Sequence, residues 1–176
     1  MEVRSSRFGR IQIREDEKVS FPEGILGFES LRSFAILDDP EDDVFLWLQS
    51  VDDENVALPL IEPELLGLNS QLRLTKTDLA TLGLTEQSQA RYYLIITIPS
   101  DIKKMTANVK APIVVNVETK VARQCVMQEN DLSIKESIFD ILQKKLAASP
   151  NWAKPILDGI TVRLSSVSVK PPESNP

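Results

Sequence analysis

The sequence predicts an all-β fold, a mostly antiparallel β-barrel, with one short internal helix and a C-terminal amphipathic helix. Runs rich in β-branched and aromatic residues recur about every 8 to 12 residues with turn signals between them, which is typical of a sandwich or barrel. The densest run lies at 92–98 and stops at Pro99, which has no N–H for a β ladder. We therefore expect residues 92–128 to form the centre of the sheet.

The N-terminal half shows a series of strands separated by polar turns. Residues 10–13 and 18–21 alternate between apolar and polar side chains around a charged turn, which predicts a first hairpin. Further strands are expected at 35–37, 44–49 and 56–61. The run at 44–49 is apolar on both faces, as in a central strand or one closed into a barrel. The acidic segment 38–43 lacks the glycine and the spacing of a calcium loop, which favours a solvated turn.

Two short segments of the first half carry specific backbone signals. Gly24 and Gly27 lie in a loop at 22–29, which indicates positive φ or a close backbone approach, and Phe28 is expected to cover the end of the barrel. Thr75 and Asp78 fit a capping box, and Gly83 is placed to end the short helix that follows.

The second half contains a predicted hairpin and a helix. Strands at 113–117 and 121–127 are separated by only three residues, which favours a tight antiparallel hairpin. The polar segment 100–110 precedes them and is expected to be an exposed loop, where function often lies. Ser133 and Glu136 fit a second capping box. The expected apolar stripe of that helix consists of Ile134, Ile138, Ile141, Leu142 and Leu146.

These elements suggest a division of the chain into three parts. We expect residues 1–136 to form the barrel domain, residues 137–169 to form an extension packed on or beside it, and residues 170–176 to form a flexible tail. The helix should stop before Pro150, and the extension should end in a strand at 160–169.

Composition limits the classes of function. The 176 residues carry a net charge of −6, so the surface is expected to repel nucleic acid and to attract basic proteins. The chain has no histidine, which is the commonest general base, and Cys125 is its only cysteine. The sequence also lacks a phosphate-binding glycine loop and a GxSxG motif. We expect no enzyme activity, no cofactor and no metal site.

Targeting signals are also missing from the sequence. No apolar run approaches the roughly 18 residues that span a bilayer, and the N-terminus lacks the apolar segment of a signal peptide. A lone cysteine suits a reducing compartment. We expect a cytoplasmic monomer that does not bind membranes.

Several motifs resemble, in order and spacing, those of the FliW flagellar assembly factors. They are GILGFE at 24–29, WLQS at 47–50, IEP at 61–63, DLATLG at 78–83 and NVKAPIVVN at 108–116, followed by Gln124. Leu26 stands where that family has proline. The resemblance covers roughly residues 8–136 and implies a compact β-barrel-like protein that binds flagellin and CsrA, a basic repressor of flagellin translation. It further implies that free FliW sequesters CsrA, and that accumulating flagellin captures FliW and releases CsrA.

Six polar residues are candidates for partner binding. Asn108 can donate and accept hydrogen bonds at once, although an asparagine there can equally satisfy a local turn. Glu29 and Lys110 are either rim contacts or ordinary solvated charges. The remaining amides, Gln49, Asn116 and Gln124, form a polar platform if their face is wet and are satisfied core amides if it is dry.

Other residues and alternatives remain open. Trp47 has the type of an interface anchor, but its apolar neighbours favour a place in the core, and Cys125 is expected to be an inert buried thiol. The acidic body could imitate RNA phosphates or act on CsrA from another surface, and the resemblance favours the second. A small-ligand-binding β-barrel or a carboxylate-dependent hydrolase is the alternative function. From Ser137 onward the charge becomes basic, so the extension could cover a partner site or simply add a layer or mediate self-association.

Overall fold

The computed structural model describes residues 1–154 and 159–164. The strands within these ranges are β1 (Glu2–Ser5), β2 (Gly9–Gln12), β3 (Val19–Ser20), β4 (Ser33–Asp38), β5 (Leu46–Ser50), β6 (Ala57–Ile61), β7 (Ala90–Thr97), β8 (Thr106–Ala107), β9 (Ile113–Asn116), β10 (Ala122–Gln124), β11 (Glu136–Ser137) and β12 (Thr161–Arg163). The α-helices are α1 (Lys76–Leu82) and α2 (Phe139–Ala148). Short 3-10 helices lie at Glu15–Glu17, Pro63–Leu66, Asn69–Gln71, Gln87–Gln89 and Ile102–Lys104.

The main sheet closes on itself, which confirms the predicted all-β, mostly antiparallel class. Strands β10, β9, β7, β6, β5 and β4 are neighbours in that order, and each pair is antiparallel. Strand β3 pairs with the start of β4, and Ser20 of β3 forms a bridge with Val121, just before β10. The Ser20 N–H also donates to the Lys120 carbonyl at 2.9 Å. The two ends of the sheet therefore meet.

Strand β12 pairs with the part of the β4 edge that β3 does not cover. It runs parallel to β4, with Thr161 opposite Ile36 and Arg163 opposite Asp38. Its flanking residues Ile160 and Leu164 are both buried. Within the described residues the strand predicted at 160–169 is present as Thr161–Arg163, and residues 165–169, like the tail at 170–176, lie outside the described residues.

The first predicted hairpin is wrong in its pairing. Strand β2 pairs with β1, not with β3, and Gly9 at φ 75° turns the chain between them. The β1–β2 hairpin packs Val3, Phe8 and Ile11 over Trp47 on the outer face of the sheet. The apolar side chains of β1 find a partner surface only in the folded sheet, so local alternation did not reveal this pairing.

Buried apolar side chains form three clusters in the described part of the chain. One fills the barrel and includes Phe34, Leu48 and Tyr93. A second lies between the sheet and the two α-helices, and the third lies under the β1–β2 hairpin. Trp47 belongs to the third cluster, with its ring edge-on to Phe8 at 5.7 Å, which confirms a place in the core. Strand β5 is apolar on both faces because it contacts two of these clusters.

The short helix α1 is as predicted. The Asp78 N–H donates to Thr75 Oγ1 and the Thr75 N–H donates to Asp78 Oδ2, both at 3.1 Å, so the capping box is reciprocal. Gly83 ends the helix at φ 67°. These signals are local in sequence and need no tertiary context to act.

Helix α2 begins later than predicted, and the expected loop before the hairpin is partly structured. The helix starts at Phe139, because Glu136 and Ser137 form β11 and pair with β8. Strand β8 and the 3-10 helix Ile102–Lys104 lie within the segment that was expected to be a loop. Ile134 is consequently 64% exposed instead of joining the apolar stripe. The helix ends at Ala148, before Pro150, as expected.

Candidate protein-binding surface

A rigid loop at 24–29 lies at one end of the barrel. A Cβ built on Gly24 would lie 2.6 Å from the Glu29 carbonyl oxygen, so this close approach requires glycine. The Gly27 N–H donates to Glu29 Oε1 at 3.1 Å, and the Phe28 N–H donates to the Ile25 carbonyl at 2.7 Å. Hydrogen bonds from the backbone N–H groups of Glu29 itself and of Gly27 lower the pKa of the Glu29 carboxyl. Glu29 therefore stabilises the loop.

Gln124 joins this loop to the sheet. Its Oε1 accepts from the Leu26 N–H at 3.0 Å, and its Nε2 donates to the Ala111 carbonyl at 3.2 Å. One side chain thus holds together two segments that are far apart in sequence. We call residues 24–29, 108–111 and 124–126 the loop surface.

Asn108 and Lys110 also belong to the loop surface, and both are half-buried. Asn108 Oδ1 accepts from the Ala111 N–H at 3.0 Å, which is the local turn role. Lys110 Nζ donates to the Glu129 carbonyl at 2.6 Å, so its charge is not simply solvated. Four of the six candidate residues, Glu29, Asn108, Lys110 and Gln124, are therefore brought together here.

The other two candidates are buried elsewhere. Gln49 is 0% exposed and donates from Nε2 to the Ser50 carbonyl at 3.1 Å. Asn116 is 4% exposed, donates to the Leu82 carbonyl at 2.8 Å and accepts from the N–H groups of Glu118 and Thr119. Asn116 therefore stabilises the fold, whereas Gln49 Oε1 has no hydrogen-bond partner among the described residues, and neither side chain is accessible to a partner in this conformation.

Two exposed apolar side chains lie on the loop surface and a third follows a residue bonded to it, and sequence reasoning did not select them. Leu26 is 66% exposed at the tip of the rigid loop, and Val126 is 51% exposed between buried Cys125 and Met127. Ile134 follows Ser133, whose carbonyl accepts from the N–H groups of residues 109 and 110. Large apolar side chains that are held out on a fixed backbone mark a protein contact more often than scattered ones. The signal in the sequence was an apolar residue between two turn glycines.

The remaining features are the Cys125 thiol, possible metal ligands and possible membrane-spanning helices. Burial raises the pKa of the Cys125 thiol to about 12, and nearby Asp78 adds to the effect, so the thiol is inert as expected. The described residues hold no group of three or more His, Cys, Asp or Glu side chains that could bind a metal ion. None of their helices is both long and apolar enough to cross a bilayer.

The acidic segment 38–43 is exposed or half-exposed from Asp39 to Asp43, as expected of a solvated turn, but Asp38 at the end of β4 is buried. Asp38 is 2% exposed, and its Oδ1 lies 2.5 Å from Lys154 Nζ, which is also buried. Lys154 Nζ further donates to the carbonyls of Asp39 and Phe45 at 2.9 and 3.2 Å. The exposed Arg163 of β12 lies 3.6 Å from the other Asp38 oxygen. Lys154 and Arg163 thus attach the C-terminal extension to the connection between β4 and β5.

Comparison with known proteins gives one consistent result. The family model described as "FliW protein" matches residues 2–138. A flagellar assembly factor FliW from Bdellovibrio bacteriovorus is 48% identical over 150 residues, which are 85% of this chain and 86% of that protein. One from Leptospira interrogans is 34% identical over 141 residues, with 80% and 94% covered. A crystal structure of the flagellar assembly factor FliW superposes with a TM-score of 0.72 at 30% identity and covers 79% of this chain and 97% of its own. The chain therefore belongs to the FliW family.

Proposed function

We propose that this protein is a non-enzymatic flagellar assembly factor that binds flagellin and the translational repressor CsrA in the cytoplasm. The free protein sequesters CsrA and so lifts repression of flagellin synthesis. Accumulating flagellin then captures the protein and releases CsrA. The observation that carries this proposal is the family match over residues 2–138, which includes every segment of the loop surface.

The geometry of the loop surface supports a role in protein binding. Its backbone is fixed by the Gln124 and Glu29 hydrogen bonds, so binding requires little additional ordering of the loop. Leu26 offers an apolar anchor at its tip, and Gln124 joins it to the segment that carries the polar groups of Asn108 and Lys110. An apolar centre within a polar rim is the usual arrangement of a protein interface.

Charge supports CsrA in particular as a partner. The net charge of −6 attracts a basic protein over long range and accelerates association. The same charge disfavours direct contact with RNA. Charge alone is also compatible with imitation of RNA phosphates, and it is the family resemblance that favours action on CsrA from outside its RNA-binding face.

Isothermal titration with purified flagellin and cognate CsrA tests the proposal. We expect both proteins to bind. Binding to neither partner would refute the proposal. The variant Leu26→Asp should weaken at least one complex by about thirty-fold, because interface anchors are worth about 2 kcal/mol or more. Ile102→Asp is the matched control, since Ile102 is 53% exposed outside the loop surface. Equal affinities for the two variants would move the interface elsewhere.

A competition titration tests the exchange and the mode of antagonism. Flagellin should displace CsrA from the protein. If the protein and RNA competed for one face of CsrA, excess RNA would release the protein completely. A stable complex of all three components would instead support binding at a separate surface.

A further inference from the structure

A second polar site lies where β6 ends and β7 begins. It is a cavity of about 360 Å³ that shares no residue with the loop surface. Its polar lining consists of Glu62, Glu64, Asn69, Gln87, Ser88 and Arg91. The FliW motifs account for Glu62 only as part of a turn, and the loop surface does not use it.

Glu62 is the buried centre of this cavity. It follows the last residue of β6 and is 4% exposed, and Pro63 then turns the chain away. The pairing of Ile61 with Leu94 brings Glu62 beside the neighbouring strand. Arg91 of that strand donates from Nη2 to Glu62 Oε1 at 3.3 Å. Among the described side chains and backbone groups, none donates a hydrogen bond to Oε2.

Burying the Glu62 carboxylate in this way lowers the stability of the folded protein, so a purely structural role does not explain it. A buried carboxylate whose one donor is the Arg91 guanidinium loses hydration that a single ion pair does not fully replace. The pKa of Glu62 is raised to about 7, because desolvation and the nearby Glu64 raise it more than Arg91 lowers it. Such groups in cavities are found at binding sites more often than in ordinary cores.

Charge and shape define the ligand. Arg91 pairs with Glu62, and Glu64 adds a second carboxylate, so the lining keeps a net negative charge and favours a cation over an anion. Leu72, Ala90 and Tyr92 form apolar walls suited to an aliphatic stem. The volume lies at the lower end of ligand sites, so it suits one side chain or a small amine. We propose that this cavity binds a primary ammonium or guanidinium group on a short aliphatic stem, with Glu62 as its counter-ion.

The site has a defined pH dependence. The charged groups that face Glu62 are Arg91 from β7 and Glu64 from the 3-10 helix, and Tyr93 from β7 stays neutral because burial raises its pKa. Only ionised Glu62 acts as counter-ion, so cation affinity rises as pH rises through about 7. For one linked proton the expected increase between pH 6 and pH 8 is about ten-fold.

Titration of the full chain with two probes of opposite charge and equal stem tests the proposal. We expect n-butylammonium to give saturable NMR shifts in the backbone amides of residues 62–72 and 87–92. Butyrate should not shift them. Equal or larger effects of butyrate, or unsaturable shifts spread over the acidic surface, would overturn the proposal without recourse to any variant.

Variants locate the counter-ion. Glu62→Gln keeps the shape of the side chain and removes its charge, so butylammonium affinity should fall at least ten-fold and lose its pH dependence. Glu41→Gln makes the same charge change on an exposed turn and should have no effect. Equal affinities for both variants and the parent would refute the assignment of Glu62.

A displacement experiment identifies the source of the cation. If saturating CsrA or flagellin displaces bound butylammonium, the natural ligand is a lysine or arginine side chain of that partner. If both partners bind the protein and neither displaces butylammonium, the natural ligand is a free amine. Because the probes are small molecules, the titration remains informative even if neither protein partner binds.

Discussion

Glu62→Gln provides a direct test of how the cavity affects folding. The pKa of Glu62 rises from an ordinary 4.5 to about 7 in the folded protein. Below about pH 4.5 the carboxyl is protonated in both the folded and the unfolded chain. Between 4.5 and 7 the unfolded chain releases this proton while the folded chain keeps it, so rising pH lowers the free energy of unfolding. Above about 7 the contribution is constant.

The size of the effect follows from the same shift. Each pKa unit corresponds to about 1.4 kcal/mol, so between pH 5 and pH 8 the parent should lose about 2 to 3 kcal/mol through Glu62. Glutamine does not titrate, and the other carboxyls contribute equally to both proteins. The stability of Glu62→Gln relative to the parent should therefore increase by this amount over the same range.

Urea unfolding at several pH values, followed by tryptophan fluorescence, measures this difference. Glu41→Gln serves as the control, since its exposed side chain should give a difference that does not vary with pH. A pH-independent difference for Glu62→Gln as well would show that the Glu62 carboxyl titrates as in water. The reasoning about its desolvation would then be wrong.

Three further changes test other contacts by chemical denaturation. Lys154→Met leaves buried Asp38 with only the exposed Arg163 beside it and should cost about 3 kcal/mol, whereas an unchanged midpoint would mean that Arg163 or water compensates the carboxylate. Asn116→Ala leaves a buried carbonyl and two turn N–H groups without their partner and should cost about 2 kcal/mol, and a loss under 0.5 kcal/mol would contradict this role. Gly24→Ala should cost about 1 to 2 kcal/mol more than Gly27→Ala, because both have positive φ but only Gly24 lacks space for a Cβ.

Elements with local signals were predictable from the sequence. Helix α1 is specified by a capping box and a terminal glycine within ten residues, and the β9–β10 hairpin by a short turn. The start of α2 was not predictable. Ser133 and Glu136 match the sequence pattern of a capping box, but the backbone of β11 pairs with β8 instead. A non-local ladder overrode a local preference there.

The candidate surface shows the same limit. The two glycines indicated a tight loop, but only the fold reveals that Gln124 spans from Leu26 to Ala111. Gln49 and Asn116 looked equivalent to Gln124 in sequence, since an amide in a strand does not disclose which face is buried. The residues around Glu62 show no sequence spacing that marks a site. Its burial beside Arg91 depends on the pairing of β6 with β7, which the sequence does not reveal.

The place of β12 bears on how the chain folds during translation. Its partner β4 emerges from the ribosome long before Thr161–Arg163 are synthesised. Throughout that interval the far end of β4 exposes unpaired N–H and C=O groups, which can recruit strands from neighbouring nascent chains. A chain that ends after the FliW-matched region should thus leave this edge of β4 unpaired. It should aggregate more readily and depend more on chaperones.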